Sequence, residues 1–421
     1  MTISYAQLFS YLFAFVTFES ILQWSITPSL PLLFWWGFNS IFLAVAFMSK
    51  SIYYQKAKDR TPLLIVKVFM MWCFLSFLRG LFIADNYWEW KNLFSIAFVY
   101  SIPLFVFLFI NDKLLKQIIS FWLKYMLIIF LLFIPFIVDT TFIGQYLSPL
   151  LLLLLLLPVI PYRWRVFIVI ITFCVIIFSL ESRSTVIKFS TAFLFGSMYY
   201  ARFFQIEKFF KIMHISLIIA PIILFFLALT NTFNVFHMKD YLGGYTINTS
   251  KTSDASQGDL TADTRTFIYV ETISSAIKHD YIIQGRTPAR GYDSVYFGDY
   301  LEYELGTGKK ERFASEVSIL NVFTWFGLIG VFLYFLVFFY SSYLAVYRSN
   351  NYFIRIVGLF VAFRWAFSFV EDPSSFGIQT IVLWIFISMC LSSSFRKMTN
   401  NEFRFWINDL LNRAKLLRLR T

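Results

Sequence analysis

Long apolar stretches separated by short polar connections make up most of this chain. A helix needs about 20 predominantly apolar residues to cross a bilayer, and stretches near this length recur from one end of the sequence to the other. The predicted spans are residues 5–26, 28–48, 62–84, 93–110, 118–138, 146–160, 166–182, 185–201, 212–232, 315–340, 353–371 and 378–395. The pattern therefore predicts an all-α integral membrane protein with about 12 transmembrane helices.

The composition agrees with this pattern. Of the 421 residues, 59% are apolar and only 14% are charged, and the mean hydropathy is +0.68. Soluble domains average about 45–50% apolar and about 25% charged residues, so an ordinary soluble protein is excluded. The three cysteines, Cys73, Cys174 and Cys390, all fall inside apolar stretches. Neither a disulfide framework nor a metal site is predicted.

The distribution of basic residues predicts the topology. The first apolar run has no basic residue before it and no small-residue cleavage pattern, which favours a retained span over a signal peptide. With the N-terminus inside, the cytoplasmic connections and the tail carry 20 Lys and Arg residues, whereas the short external loops carry only Lys91 and Arg183. Both termini are therefore expected in the cytoplasm. The net charge of +12 then reflects topology and contact with anionic membrane lipids, and no nucleic-acid partner is expected.

One connection, residues 233–314, is far longer than the others and is expected on the external face. It has about 80 residues where typical helix connections have 2–8, and loops of this length are usually functional or disordered. A polar stretch, Gly243 to Asp263, precedes a predicted helix that Asp263 or Thr261 would cap. One face of that helix carries Phe267, Val270, Ile273, Ile277 and Tyr281.

The chain therefore divides into four parts. Residues 1–232 hold spans one to nine, 233–314 the large loop, 315–395 spans ten to twelve, and 396–421 a basic tail. The tail repeats apolar residues at helical spacing and is expected to lie as an amphipathic helix on the cytoplasmic leaflet. The repeating residues are Phe403, Ile407, Leu410, Ala414 and Leu417.

Ionisable residues inside spans are costly and are functional hypotheses by default. Lys67 and Lys124 lie in the cytoplasmic thirds of their spans, where they can reach the headgroups. The others lie in the outer halves and would define one polar cavity open to the external face: Glu19, Arg79, Arg183, Lys188, Glu316, Arg364 and Glu371. The alternative is structural ion pairing, as between Arg364 and Glu371 or between Arg183 and Glu181.

Arginines dominate the candidate chemistry, because the loop adds Arg265, Arg286 and Arg290 to those in the spans. The guanidinium fork matches phosphate oxygens, so arginines facing the outer leaflet favour a lipid-phosphate ligand. Nucleotide-binding and zinc motifs are absent, and no cofactor is predicted. His214, His237 and His279 are isolated in the sequence, and a structural role is favoured for each.

Several segments resemble the bacterial O-antigen polymerase and O-antigen ligase superfamily. They are Thr264 to Phe267 (TRTF), Gly285 to Ser294 (GRTPARGYDS), Glu316 to Gly330 (EVSILNVFTWFGLIG), Arg79-Gly80, Asp85 to Lys91 (DNYWEWK) and Glu181 to Ser184 (ESRS). The resemblance implies a GT-C-like glycosyltransferase of the bacterial inner membrane, acting in lipopolysaccharide biosynthesis on undecaprenyl-pyrophosphate-linked glycans, with the large loop in the periplasm. Ligases of the superfamily carry a His-Asn-type motif where this chain has Ser315-Glu316, which favours a polymerase.

The same resemblance implies roles for particular residues. The donor pyrophosphate would be held by Arg183, Arg265, Arg286 and Arg290, with Arg79 and Arg364 as further candidates. Glu316 is the candidate base, with Asp293 and Glu19 in reserve, although a Glu at a helix start also simply favours the helix dipole.

Three functions remain open from the sequence. The first is a polymerase that works with membrane lipids and with a chain-length regulator protein. The second is a ligase that transfers polymer to a lipid A core, and the third is a lipid-oligosaccharide flippase. Gly285 and Gly291 would allow tight turns or close approach to a ligand, and ordinary loop glycines are the alternative.

Overall fold

The computed structural model describes residues 4–22, 31–54, 61–133, 141–180, 182–201, 207–229, 246–247, 258–259, 265–372 and 375–414. Within these ranges the chain is mostly helical. Two short antiparallel ribbons pair β1 (Thr246–Ile247) with β2 (Gly258–Asp259) and β3 (Tyr292–Asp293) with β4 (Glu311–Arg312). The prediction of an all-α protein is confirmed.

The helices in the first half of the chain are α1 (Tyr5–Leu22), α2 (Leu32–Tyr54), α3 (Leu64–Leu81), α4 (Tyr87–Val99), α5 (Val106–Phe109), α6 (Asp112–Phe133), α7 (Thr141–Tyr146), α8 (Leu150–Leu155), α9 (Tyr162–Phe178), α10 (Arg183–Ser197) and α11 (Glu207–Leu229). Those in the second half are α12 (Thr266–Lys278), α13 (Gly298–Leu305), α14 (Ser318–Tyr347), α15 (Tyr352–Phe367), α16 (Ile378–Leu391), α17 (Ser393–Lys397) and α18 (Asn400–Ala414). Single 3-10 turns occur at Ile102–Phe105, Leu157–Val159 and Met198–Tyr200.

Each of the twelve predicted spans contains helix in the part that the structure describes. Six helices in the described ranges are long and apolar enough to cross a membrane: Leu32–Lys50, Leu64–Leu81, Tyr87–Phe109, Asp112–Leu132, Glu207–Leu227 and Ser318–Tyr347. Tyr5–Phe18 and Ile378–Leu391 are apolar but shorter. The chain is thus a multi-pass membrane protein.

The predicted span at 146–160 is not one continuous helix. It consists of the end of α7, the short α8 and a 3-10 turn, because Pro149 and Pro158 lack the amide hydrogen that a continuous helix needs. All six leucines of α8 are buried, and α8 packs against α9, α10 and α15. This segment lies inside the protein rather than against lipid.

Helix α14 is interrupted at Gly327, whose backbone is non-helical at φ 66° and ψ −168°. In a continuous helix the amides of Leu328 and Ile329 would bond to the carbonyls of Thr324 and Trp325. The break frees all four groups inside the apolar bundle. Buried backbone groups must find partners, so another segment has to supply them.

The large loop supplies those partners through residues 282–287. Its hydrogen bonds run from Leu328 N to Ile282 O (2.8 Å), from Ile329 N to Ile283 O (3.3 Å), from Arg286 N to Thr324 O (2.6 Å) and from Thr287 N to Trp325 O (3.2 Å). Trp72 of α3 completes the set with a 2.9 Å bond from Nε1 to Phe326 O. The loop is thereby fixed to the broken helix at one defined position.

Two glycines make this junction sterically feasible. Gly285 and Gly327 both have positive φ, at 74° and 66°. A Cβ at Gly285 would lie 2.5 Å from backbone atoms of residues 325–327, and one at Gly327 would meet the backbone of Ile283 and Gly285. The close approach that Gly285 permits is therefore to another backbone segment. We call this end of the bundle the loop face; it holds Leu81 at the end of α3 and Ser318 at the start of α14.

The predicted loop helix exists as α12, but only part of its predicted apolar face is turned towards the core: Tyr281 is buried and Phe267 packs against the core, whereas Val270 and Ile277 do not. Val270 is 60% and Ile277 65% exposed, whereas the buried positions include Thr272, Ser275 and Ala276. Small polar residues face inward because the Ser275 hydroxyl accepts from Asp293 N at 2.9 Å and from the Tyr281 hydroxyl at 3.0 Å. The predicted caps, Asp263 and Thr261, lie outside the described residues, as does the polar stretch from Gly243 to Asp263 except Thr246–Ile247 and Gly258–Asp259.

The tail forms the predicted amphipathic helix, α18, with Phe403, Ile407, Leu410 and Ala414 buried. Its apolar face packs on α6 rather than on lipid. The Trp406 indole donates to Asp112 O at 3.2 Å, and Lys116 Nζ lies 2.8 Å from an Asp409 carboxylate oxygen. The expectation of a helix resting on the leaflet by its apolar side is corrected for this part of the tail. Leu417 lies outside the described residues.

Candidate functional site

A dense group of charges organises the described part of the large loop. We call it the loop cluster, and it consists of Glu89, Arg286, Arg290, Asp293, Lys309 and Glu311. Glu311, only 7% exposed, is shared by two arginines: Arg286 NH2 lies 3.0 Å from Oε1, and Arg290 Nε donates to Oε2 at 2.9 Å. Glu89, at the start of α4, is 1% exposed and accepts from Lys309 Nζ at 2.5 Å. The cluster therefore ties the loop to α4.

Local sequence explains how Glu89 comes to be there. Asn86 caps α4 by accepting from the amides of Trp88 and Glu89. Glu89 in turn accepts from the amide of Asp85 at 2.8 Å, which resembles a capping box. These local hydrogen bonds hold the Glu89 carboxylate in the position where Lys309 contacts it.

Arg286 and Arg290, two of the expected pyrophosphate ligands, are thus brought together, but each is matched by carboxylates. The hydrogen bond with Glu311 raises the pKa of Arg290 above its ordinary value, although partial burial opposes this. Arg286 also donates to Gly291 O at 2.8 Å and lies 3.2 Å from Asp293. Both guanidinium groups are engaged in holding the loop's shape.

Asp293, a reserve candidate for the base, is surrounded by donors. Lys278 Nζ lies 2.7 Å away, and His279 Nε2 lies 2.8 and 3.0 Å from its two oxygens. Partial burial raises the pKa of this carboxyl, but the hydrogen bonds from Lys278 and His279 and the charge of Arg286 outweigh it and hold the pKa at about 2. Such a carboxylate is a poor proton acceptor and is well suited to orient His279.

A cavity of about 380 Å³ opens beside this pair on the loop face. We call it the loop-face cavity; its lining includes Arg79, His279, Asp280, Gln284, Gly285 and Arg286. Arg79, near the end of α3, donates to Gln284 O at 3.1 Å and to Gly285 O at 3.2 Å. In the described ranges no carboxylate lies within ion-pair distance of Arg79. The cavity therefore holds an oriented cation, Arg79, for which the described residues provide no ion-pair partner.

Backbone strain is concentrated around the same cavity. Asp280 has φ 51° and Thr287 has φ 79°, a conformation that is unusual for any residue with a side chain and most of all for a β-branched one. Thr287 is fully buried and its amide is held by Trp325 O. Strain of this kind persists where the surrounding structure imposes it, and it is often found at ligand sites.

A second group of charges lies between helices. We call it the helix cluster, and it consists of Lys188, Arg364 and Glu371. Lys188 Nζ lies 2.5 Å and Arg364 NH1 3.0 Å from the Glu371 oxygens, and all three side chains are at most 13% exposed. The ion pair of Arg364 with Glu371 that the sequence offered as the alternative is present. In the other pair offered there, Arg183 with Glu181, Glu181 lies outside the described residues. The neighbouring Asp372 accepts from the Ser318 hydroxyl at 2.6 Å and from the Asn321 amide.

The ionisable residues expected in one cavity are therefore divided. Arg79 lines the loop-face cavity, while Lys188, Arg364 and Glu371 form the helix cluster. Arg183 begins α10 and is exposed. Arg265 is the half-buried residue before α12. The side chain of Glu19 lies outside the described part of the chain.

Glu316, the candidate base, lies outside both groups. Its side chain is 57% exposed and accepts from Arg312 NH2 at 2.8 Å. It precedes Val317, the residue that caps α14, so it lies just before the helix rather than in its first turn.

Three important residues were missed from the sequence. His279 was not predicted as a site residue, because its partner Asp293 is fourteen positions away in the sequence. Glu311 was not predicted either, because no pattern in its neighbouring residues indicates a role. Asp372 follows Glu371 directly, but only the fold brings it to Ser318 and Asn321. The capping pattern Asn86 to Glu89 was the one usable signal for the loop cluster.

Comparison with known proteins gives no further lead. No family model, curated protein or solved structure matches the chain. In the parts of the chain that the structure describes, no three His, Cys, Asp or Glu side chains are grouped as in a metal site.

Proposed function

We propose that this chain is an O-antigen-type polysaccharide polymerase of the bacterial inner membrane. It would join undecaprenyl-pyrophosphate-linked oligosaccharide units at the loop face, with that face in the periplasm and both termini in the cytoplasm. In this proposal the bundle has about 12 spans and a GT-C-like architecture, and a chain-length regulator protein is a partner. The motif resemblance and the bias of basic residues support this assignment.

The observation that carries the proposal is the oriented Arg79 in the loop-face cavity, which is also lined by His279, the partner of Asp293. Two loop carbonyls hold the guanidinium in place, so it needs no reorganisation when a charged group arrives. Fixed donors of this kind stabilise negative charge that develops during a reaction. A pyrophosphate leaving group develops such charge.

The reaction would proceed in one displacement. A hydroxyl oxygen of the acceptor sugar attacks the anomeric carbon of the donor glycan, and the bond from that carbon to the pyrophosphate oxygen breaks. The electron pair leaves with the polyprenyl pyrophosphate, which Arg79 stabilises, with Arg286 beside it. The hydroxyl proton passes to His279, which Asp293 orients.

The other candidates take different parts in this proposal. Arg286 and Arg290 stabilise the loop by pairing with Glu311. Replacing either arginine would therefore lower activity mainly by displacing the wall of the loop-face cavity. Arg183 and Arg265 remain candidates for binding glycan or phosphate outside the cavity. Glu316 is exposed and paired with Arg312, and His279 replaces it as the proposed base.

The reaction class is tested with the purified chain and a chemically defined undecaprenyl-pyrophosphate repeat unit, without ATP, metal or lipid A core. A ladder of glycan lengths is the expected product. Product that forms only after lipid A core is added would instead indicate a ligase. Binding of the substrate without product in either mixture would favour the flippase.

The role of His279 is tested separately with His279→Ala. Chain growth is expected to fall by at least about a hundredfold, as for loss of a general base, and added imidazole should restore part of the rate. His214→Gln is the matched control, because His214 lies on α11 with its ring 2.9 Å from the Ser342 hydroxyl of α14 and does not line the loop-face cavity, and it should grow polymer normally. Normal polymer from His279→Ala would remove this histidine from the mechanism.

A further inference from the structure

The segment of the large loop that follows β3 exposes three tyrosines. The side chains of Tyr296, Tyr300 and Tyr303 are 72%, 62% and 87% exposed. Tyr300 and Tyr303 are three residues apart on α13, so they lie on the same side of that helix, and Tyr296 lies just before its start. We call these three residues the tyrosine platform. It lies outside the helices that are long enough to cross a membrane, so contact with lipid along a span does not explain the exposed rings.

Tyr296 is held in place although its side chain is exposed. The amides of Val295 and Tyr296 both donate to one carboxylate oxygen of Glu271 at 2.8 Å. The Tyr296 ring also packs on Phe267, with the ring centroids 4.9 Å apart and the planes inclined by 30°. Glu271 and Phe267 are one turn apart on α12, so a single helix fixes both the backbone and the ring. A ring held in this way loses little freedom when a ligand covers it.

Carboxylates alternate with the tyrosines along α13. The helix carries Asp299, Glu302 and Glu304 and no basic residue. Asp299 pairs with Lys310 at 2.5 Å, while Glu304 is exposed beside Tyr303. Covering this surface with a lipid leaflet would bring carboxylates against anionic headgroups and out of water, which is unfavourable. A neutral sugar instead offers C–H groups to the negative face of an aromatic ring and hydroxyl donors to a carboxylate.

The platform is close to the proposed reaction centre. Asp293, which contacts His279 in the wall of the loop-face cavity, is three residues before Tyr296. Three residues span at most about 11 Å, so a glycan that extends from the cavity reaches the platform within a few sugar units. The Ser294 hydroxyl donates to Glu271 at 2.8 Å and anchors the intervening segment on α12. This continuity with the cavity favours a glycan over an unrelated protein as the occupant.

We propose that the tyrosine platform binds neutral sugar units of the growing glycan by stacking them on its exposed rings. The inference rests on the proposed polymerase function and adds to it the place where glycan outside the reaction centre is held. Tyr296 supplies the fixed ring, Tyr300 and Tyr303 extend the surface, and the carboxylates of α13 accept hydrogen bonds from sugar hydroxyls. A glycan that carries acidic sugars would be repelled by the same carboxylates.

Binding is tested without the reaction. A chemically defined, neutral, lipid-free oligosaccharide of the repeat unit is titrated into the purified full-length chain in phosphatidylcholine nanodiscs and followed by saturation-transfer NMR. Tyr296→Ala should weaken binding by about five- to tenfold, as for loss of one aromatic stacking partner, whereas Tyr296→Phe should retain it. Tyr87→Ala is the matched control, because Tyr87 is a similarly exposed tyrosine at the start of α4, outside the platform. It should bind as wild type does.

The glycan ladder separates the platform from the reaction. Tyr296→Ala should still join the first units but give shorter chains than wild type, because the held glycan is released sooner. If wild type made no ladder while the oligosaccharide still bound through Tyr296, the polymerase function would be wrong and the platform would stand.

Four results would overturn the platform itself. The first is wild-type affinity for the oligosaccharide in Tyr296→Ala or in Tyr300→Ala with Tyr303→Ala, and the second is an equal loss in Tyr87→Ala. The third is quenching of the added fluorescence of Tyr296→Trp by brominated phosphatidylcholine, which would make lipid the occupant. The fourth is a smaller particle on gel filtration of Tyr296→Ala with unchanged sugar affinity, which would make a second copy of the chain the occupant.

Discussion

The loop cluster and the helix cluster hold similar charges in different ways. In the loop cluster, carboxylates and cations from α4 and the loop share partners, so that Glu311 pairs with two arginines and Arg286 pairs with two carboxylates. In the helix cluster, one carboxylate, Glu371, lies between two cations with little access to water. Shared pairing in the loop allows one contact to be exchanged for another. In the helix cluster, the described residues offer Lys188 and Arg364 no second carboxylate in place of Glu371. This difference indicates a structural role for the helix cluster and an adaptable site in the loop.

The largest expected effect is from Glu371→Gln, which leaves Lys188 and Arg364 buried without their carboxylate. Breaking a buried pair costs about 3–5 kcal/mol, because an uncompensated charge remains in a dry environment. Thermal unfolding of the purified protein should show a large fall in stability. Glu316→Gln is the matched control, because that carboxylate is 57% exposed, and its stability should be nearly unchanged. Equal stability of the two variants would contradict the contrast between the clusters.

Gly327→Ala should have the next largest effect, because it forces a side chain against Ile283 and Gly285 at the junction of loop and helix. We expect a loss of about 3 kcal/mol in stability, since strain and lost backbone hydrogen bonds add together. Thermal unfolding and limited proteolysis of the loop measure it. Gly306 also has positive φ but has open space around it, so Gly306→Ala should cost only about 1 kcal/mol. Similar losses of stability in Gly327→Ala and Gly306→Ala would show that the close backbone contact of Gly327 with Ile283 and Gly285 contributes nothing to stability.

Glu311→Gln should have a smaller effect on stability than either. It removes the charge that two arginines share, but Arg286 keeps Asp293 and Arg290 lies 3.9 Å from Glu89. The expected loss is about 2 kcal/mol, typical of one charged hydrogen-bond partner. Hydrogen exchange of the loop amides should rise while α15 and α16 stay protected. A loss of stability as large as that of Glu371→Gln would mean that the remaining carboxylates of the loop cluster cannot replace Glu311.

The smallest effect is a pH dependence of the loop. The carboxyl of Asp293 has its pKa lowered from its ordinary value of 3.8 to about 2. Its ionised form therefore stabilises the folded loop above pH 4, and this stabilisation is lost as the pH falls towards 2. Pepsin cleavage of wild type and Asp293→Asn should differ at pH 4 and converge near pH 2. A difference that persists unchanged to pH 2 would contradict the ionised role of Asp293.

The sequence predicted the helices well because apolar length is a local property. All twelve predicted segments contain helix, and the tail helix α18 has its apolar residues buried as expected. The partners of these elements depend on the whole fold and were predicted less well. The tail helix packs on α6. In α12, Ser275 rather than Val270 is buried, because the Ser275 hydroxyl accepts hydrogen bonds from the Asp293 amide and the Tyr281 hydroxyl.

The candidate site shows the same limit. Arg286 and Arg290 lie together in the loop, but their carboxylate partners could not be predicted, because Glu311 and Glu89 are brought to them by long-range folding. Spacing along the chain could not distinguish Arg79, which contacts only carbonyls in the described residues, from Arg290, which is bound to a carboxylate. His279 became a candidate only when Asp293 was seen beside it.

The central claim is that Arg79 stabilises an anionic leaving group in the loop-face cavity. The most direct test compares glycan ladders from Arg79→Gln, Arg79→Lys and the matched control Arg348→Gln in the defined lipid-linked reaction. Arg348 is exposed at the opposite end of α14, so its loss should leave the ladder unchanged. Loss of a fixed donor costs about 10² to 10³ in rate, so Arg79→Gln should give almost no polymer while Arg79→Lys retains part of it. A ladder of normal length and yield from Arg79→Gln would contradict the account.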